Sequence, residues 1–364
     1  MSRVADGPEI SAEALAATLG TGGAPFLLDV REPDEFEAWA IAGASNVPLS
    51  TLERQLTRVA RGRPVVVVCA SGERSARAVG ALRAAGFDAA NLVGGMLAWS
   101  GVYDTALVEV GPFAVVQSRR RGKGCLSYVV ASGGEAMVVD PSSDVGRYLD
   151  IAAANGWRVT HVLDTHLHAD HVSGARTLAA VAGAALHLSA ADPLQFGFTA
   201  LADRDRLELG AAAVEVLATP GHTLGSVVVD LDGRALLTGD TLFVDGVGRP
   251  DLADAAREYA DELHRSLHST LEGRPDDVLV LPAHFGDRVT VVPGVLVAAS
   301  LGAVRATVPQ LGWDRDRFVA WASTRATPRP PSYIEIVRLN AGETSASADE
   351  IRALEVGPNR CGAA

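Results

Sequence analysis

The sequence predicts an α/β protein of two domains: a parallel-sheet α/β domain over residues 1–104, then an αββα sandwich over residues 105–364. Three observations predict it. A chain of 364 residues is long enough for about two hydrophobic cores. Val65-Val66-Val67-Val68 runs into Cys69, a short loop and an alanine-rich segment, which is the strand, tight loop and helix of a central parallel strand. From Arg158 onward, short apolar runs repeatedly end in loops carrying His or Asp, a pattern that two layered sheets with covering helices would produce.

Composition narrows the function. Apolar residues make up 48% and aromatics 5%, an ordinary globular balance. The net charge of -12 argues against a nucleic-acid partner. Arg119-Arg120-Arg121-Gly122-Lys123 is the one locally basic stretch and reads as a solvated turn; Lys123 is the only lysine. Three cysteines cannot build a disulfide framework. The N-terminus lacks an apolar signal region, and no apolar run approaches the roughly 18 residues of a membrane span. The expectation is a cytoplasmic protein without a membrane partner. Its oligomeric state is open, a homodimer included.

In order, Ala24 to Val30 reads as a buried strand, Asp34 to Trp39 as the start of a short helix, and Ala76 to Ala85 as a helix closed by Gly86. Cys69 then sits at the carboxyl end of its strand, facing a helix N-terminus. Free N–H groups, the helix dipole and Arg74 favour a thiolate there, and would equally favour a persulfide anion. A small buried cysteine ending a strand is the plain alternative. Asp29-Val30-Arg31-Glu32-Pro33, Gly43 to Leu49, Cys69 to Ser75 and Gly94 to Trp99 occur in the order of a rhodanese domain, and the region 9–101 resembles that family. The resemblance implies a rhodanese-like sulfurtransferase in which Cys69 carries the persulfide and Arg74 closes the loop. Where the family usually carries a Gly-His pair, this chain has Trp39-Ala40-Ile41-Ala42.

Beyond residue 105, Val110 to Gln117, Leu126 to Ala131, Ala136 to Pro141, Arg158 to Leu163, Ala184 to Leu188, Ala213 to Ala218, Ser226 to Asp230 and Ala235 to Thr238 read as strands. Val145 to Asn155 and Val172 to Ala182 read as helices, and Arg325 to Ile336 as too proline-rich for one. Cys125 reads as core and Cys361 as a packed tail thiol. The strand from Arg158 delivers Thr165-His166-Leu167-His168-Ala169-Asp170-His171. Three imidazoles and a carboxylate at such spacing are what a divalent metal needs. Thr219-Pro220-Gly221-His222-Thr223, Thr238-Gly239-Asp240 and Leu281-Pro282-Ala283-His284 each follow an apolar run, so all can converge on one rim.

That ordered set resembles the metallo-β-lactamase fold. Two branches of it compete. A glyoxalase II-like hydrolase would hold one metal on His166, His168 and His222 and a second on Asp170, His171 and His284, with Asp240 bridging; two Zn would then activate a hydroxide for thioester hydrolysis. A persulfide dioxygenase would hold one Fe(II) on His166, His222 and Asp240, with His168, Asp170, His171 and His284 as orienting neighbours. Gly246 to Leu252 and the tail Leu354 to Gly362 resemble the dioxygenases, and a rhodanese neighbour handles the same sulfane sulfur. The favoured implication is oxidation of a low-molecular-weight thiol persulfide by O2 to sulfite and thiol. Sulfite and thiosulfate would be partners of Cys69, and Arg249 and Thr223 candidate substrate contacts.

Overall fold

The computed structural model describes residues 8–20, 22–250, 255–286, 289–324, 332–359 and 361–363. The first sheet contains β1 (Glu9–Ile10), β2 (Phe26–Asp29), β3 (Ser45–Asn46), β4 (Val65–Val68) and β5 (Ala89–Leu92). Their order is β1-β5-β4-β2-β3, and every pairing is parallel. The four valines of β4 are all buried because helices cover both faces. Val65 and Val67 pack with Val79 and Leu82. Val66 and Val68 pack with Leu15, Met96 and Trp99. Those partners lie on α1 (Ala12–Thr18), α3 (Glu73–Ala84) and α4 (Gly95–Trp99), while α2 (Pro33–Ala38) follows β2.

The next sheet runs β6 (Tyr103–Val110), β7 (Phe113–Arg120), β8 (Cys125–Ser132), β9 (Glu135–Val139), β10 (Arg158–Leu163), β11 (Ala185–Ser189) and β12 (Thr199–Leu201), adjacent in chain order. The third contains β13 (Arg206–Leu209), β14 (Ala212–Ala218), β15 (Val227–Leu231) and β16 (Ala235–Gly239). β17 (Val247–Gly248) leaves this sheet; β18 (Leu279–Pro282) and β19 (Ala299–Ser300) rejoin it beside β16. Val115, Tyr128, Val130, Val216, Val229, Leu237 and Leu281 fill the space between the two sheets. Outside, α5 (Gly146–Ala154) and α6 (Ala175–Ala182) cover one sheet. The other is covered by α7 (Ala256–Leu271), α8 (Leu301–Thr307) and α9 (Arg315–Ala322). This is the αββα layering that the alternating runs imply.

Two sequence readings are corrected. The basic stretch is no solvated turn: Arg119, Arg120 and Lys123 are buried. Arg119 pairs with Asp104 at 2.6 Å and Arg120 with Glu355 at 2.7 Å. Long-range carboxylates, invisible to a local reading, make that burial affordable. Residues from Ser332 onward are helical, in α10 (Ser332–Ala341), whereas Pro328, Pro330 and Pro331 lie outside the described residues. The tail continues through α11 (Ala348–Leu354) to β20 (Gly362–Ala363), which pairs with β17. Among the described residues, no helix is long and apolar enough to cross a membrane.

Leu281 is fully buried between the sheets, three residues before His284. Leu281→Ala is expected to destabilise the fold by about 2–5 kcal/mol, read from urea unfolding followed by far-UV circular dichroism.

Candidate metal centre and candidate thiol loop

β10 ends at Leu163, whose carbonyl accepts from Asp140 N at 2.9 Å. Asp140 follows β9 with a φ of 54°, an uncommon backbone for a residue with a Cβ. Its carboxylate accepts from Thr165 N at 2.7 Å and Thr165 Oγ1 at 2.9 Å, and meets His168 Nε2 at 3.2 Å. From α10, Asn340 Nδ2 donates to the carbonyls of His168 and His171, both at 2.9 Å. These contacts pin the loop that carries the histidines.

Ligand-type atoms of His166, His222 and Asp240 lie within 4.8 Å of one another, and all three residues are buried. Asp240 Oδ2 is 3.6 Å from His166 Nε2 and 3.4 Å from His222 Nε2. The far sides of both rings are engaged: His166 Nδ1 meets Thr165 Oγ1 and His222 Nδ1 meets the Arg249 carbonyl, each at 2.9 Å. Such contacts fix the tautomer that leaves Nε2 bare for a metal. His166 Nε2 and Asp240 Oδ2 are buried without a hydrogen-bond partner. Burial, then the neighbouring His168 and His222, hold His166 well below its ordinary pKa, so it stays neutral. Burial pushes the Asp240 carboxyl up, but His284 beside it outweighs this and keeps it ionised. Two neutral imidazoles and one carboxylate, with orphaned atoms converging, fit a divalent cation.

Asp170, His171 and His284 form an adjacent group with Cys125. Three of them are already bonded: His171 Nδ1 to Asp170 Oδ1 at 3.1 Å, and Cys125 Sγ to Asp170 Oδ2 at 3.2 Å. His284 Nδ1 meets Asp240 Oδ1 at 2.5 Å, and its Nε2 lies 3.0 Å from Asp170 Oδ2 without hydrogen-bond alignment. Burial favours neutral rings, but Asp170 outweighs it and raises His171 and His284 well above the usual histidine range. His168 belongs to neither group; it faces Asp140, and its Nδ1 has no partner.

Arg249 is almost wholly buried, and its backbone holds both His222 and the tail, with Arg249 N donating to the Cys361 carbonyl at 3.0 Å. Thr223 is half-buried and shares a 3.1 Å hydroxyl contact with Ser226. Pairing of β17 with β20 brings Cys361 to the site, where its sulfur joins the ligand-type atoms of Asp240 and His284. Gly248 on β17 is obligatory, since a Cβ there would sit 1.9 Å from the Asp240 carbonyl oxygen. Sequence reading missed Asp140, Asn340, Cys125 and Cys361 as parts of this site. All four reach it through tertiary contacts; only the tail motif around Cys361 carried a local signal.

In the first domain, Cys69 is buried and its Sγ accepts from Gly72 N at 3.1 Å and Ser75 Oγ at 3.2 Å. Gly72 caps α3, so the sulfur does face a helix N-terminus. Arg74 points elsewhere than expected. It makes two 2.6 Å bonds to Glu35 on α2, and this pairing pulls the Glu35 carboxyl down to about 2. Arg74 therefore braces the loop against α2 rather than contacting the sulfur.

Thr165→Val removes the hydroxyl that bridges Asp140 and His166. Metal affinity is expected to fall about 10–100-fold, measured by chelator competition, with far-UV circular dichroism unchanged.

The sequence model of the rhodanese-like domain matches residues 11–101, and that of the metallo-beta-lactamase superfamily matches residues 120–284. Hydroxyacylglutathione hydrolase of Anaeromyxobacter dehalogenans (strain 2CP-C) is 43% identical over 135 residues, 37% of this chain and 52% of that protein. The chain thus spans about half the length of the first hydrolases that it matches. The human mitochondrial persulfide dioxygenase ETHE1 is 29% identical over 199 residues, 54% of this chain and 74% of that protein. The crystal structure of ETHE1 from Myxococcus xanthus superposes with a TM-score of 0.56 at 28% identity, covering 62% of this chain and 97% of that one. With the parallel sheet and the αββα sandwich, these matches establish that the chain joins a rhodanese-like domain to a domain of the metallo-beta-lactamase superfamily.

Proposed function

We propose that the chain is a bifunctional enzyme of sulfane-sulfur metabolism. Residues 105–364 oxidise a low-molecular-weight thiol persulfide, such as glutathione persulfide, and residues 1–104 transfer sulfane sulfur through Cys69. The oxidation balances as persulfide, O2 and water giving thiol, sulfite and two protons. In the transfer, the outer sulfur of a Cys69 persulfide passes to sulfite, giving thiosulfate and leaving the Cys69 thiolate. A reducing, cytoplasmic setting suits a cysteine that must return to this state.

One observation carries the reading. The atoms of His166, His222 and Asp240 converge, buried and with two of them orphaned, whereas Asp170 is already bonded to His171 and Cys125, and of the adjacent group only His284 Nε2 is orphaned. This favours one metal on a two-histidine, one-carboxylate face, which leaves positions open to sulfur and oxygen. Bound there, Fe(II) would supply the one-electron chemistry by which dioxygen reacts with a sulfur nucleophile. Thr165 and the Arg249 carbonyl orient the two imidazoles, and His284 orients Asp240. The Gly72 N–H and the Ser75 hydroxyl would stabilise negative charge on the Cys69 sulfur.

The second reading is a two-zinc, glyoxalase II-like thioester hydrolase. The complete adjacent donor set of Asp170, His171 and His284 is the observation in its favour. Protein purified anaerobically should contain about one iron per chain and take up oxygen only when a persulfide is supplied. Two zinc ions with thioester hydrolysis would replace this reading by the second. Cys69→Ser should abolish thiosulfate-to-thiol sulfur transfer and keep oxygen uptake; Asp240→Ala should remove iron and oxygen uptake and keep the transfer.

A further inference from the structure

A cavity of about 760 Å³ lies between the two domains. Trp39, Ile41, Arg63 and Trp99 of the rhodanese-like domain line one wall. The other wall includes Lys123 and Phe243, and the cavity reaches His284 at the metal centre. Its size is that of a small-molecule site. The wall is tightly docked: Trp39 Nε1 donates to the Gly122 carbonyl at 2.9 Å, and a Cβ on Gly122 would sit 2.3 Å from the Trp99 carbonyl oxygen. Trp39 belongs to the segment that replaces the Gly-His pair usual in rhodaneses.

Among the described residues, the lining carries Arg63, Arg121 and Lys123 against a single carboxylate, Asp245, in a chain of net charge -12. Arg121 is neutralised by Asp104 at 2.9 Å. The other two cations have no carboxylate partner among the described residues. Lys123, the only lysine, is buried and donates to the carbonyls of Glu355 at 3.1 Å and Gly357 at 3.5 Å. Arg63, at the rim, donates to the Ala24 carbonyl at 2.7 Å. Backbone carbonyls position these cations without cancelling their charge, which leaves both able to attract an anion. No residue from 69 to 75 lines the cavity, so this wall is separate from the thiol loop.

We propose that the rhodanese-like domain, apart from its thiol loop, forms the outer wall of the site in which the metal-binding domain receives a carboxylate-bearing thiol carrier. Arg63 from one domain and Lys123 from the other meet the carrier's carboxylates. The inference rests on the persulfide-oxidation reading for the carrier's identity, but its test is binding, not turnover.

The probe is glutathione, which bears two carboxylates, titrated anaerobically by calorimetry into the full chain as purified. Arg63→Glu should weaken binding about ten-fold and Arg63→Lys should largely preserve it; added salt should weaken the parent's binding. Arg54→Glu makes the same charge change on an exposed residue outside the cavity and should leave binding unaltered. Equal affinities for Arg63→Glu and the parent, an equal loss from Arg54→Glu, or no binding to the parent would each overturn the proposal. Glutathione binding that depends on Arg63, with no persulfide-driven oxygen uptake, would keep the proposal and reject the oxidation reading. Oxygen uptake with an unchanged KM in Arg63→Glu would do the reverse.

Discussion

The buried carboxylate of Asp140 is the constraint on which the candidate metal centre depends. It sits on a backbone of positive φ, at the end of one strand, and reaches the end of the next. There it holds both the amide and the hydroxyl of Thr165, and it faces His168. Thr165 in turn sets the ring of His166. Burial alone would favour a neutral acid, but His168 and the Thr165 amide outweigh it and keep the carboxyl below its usual range. An unpaired carboxylate at this depth would cost several kcal/mol, so the charge persists only while the loop is in place. Loop and anion stabilise each other.

The same logic extends outward in shells. The ligand-type atoms of His166, His222 and Asp240 converge; Thr165, the Arg249 carbonyl and His284 touch those residues. Beyond these, Asn340 fixes the loop backbone, and Glu355 joins the tail to Arg120 and to the Val172 amide. The outer contacts come from α10 and the residues after α11, far along the chain from the histidines they serve. Catalytic precision in such a centre belongs to these supporting contacts as much as to the donors.

Much of this was legible in the sequence because the signals are local. A run of four valines, apolar runs closed by His or Asp, and short motifs in a fixed order are enough to predict the parallel sheet, the sandwich and the convergence of the His and Asp loops; the family resemblance then points to His166, His222 and Asp240. What escaped was set by distance along the chain. Arg119 and Arg120 look solvated until Asp104 and Glu355 are brought to them. Arg74 looks aimed at Cys69 until Glu35 captures it from α2. Cys125 and Cys361 look like packing residues until two strands deliver them to the carboxylates of the site. Pairwise electrostatics between remote segments has no periodicity to read.

The short pairing of Val247–Gly248 with Gly362–Ala363 has a consequence for the order of assembly. His166, His222 and Asp240 all precede residue 241, so a growing chain has its donors long before it has the strand that brings Cys361 beside them. Until the tail is made, the donor group lacks the side that Cys361 supplies. The side of the donor group that Cys361 supplies is therefore assembled after the sides supplied by the histidines and Asp240.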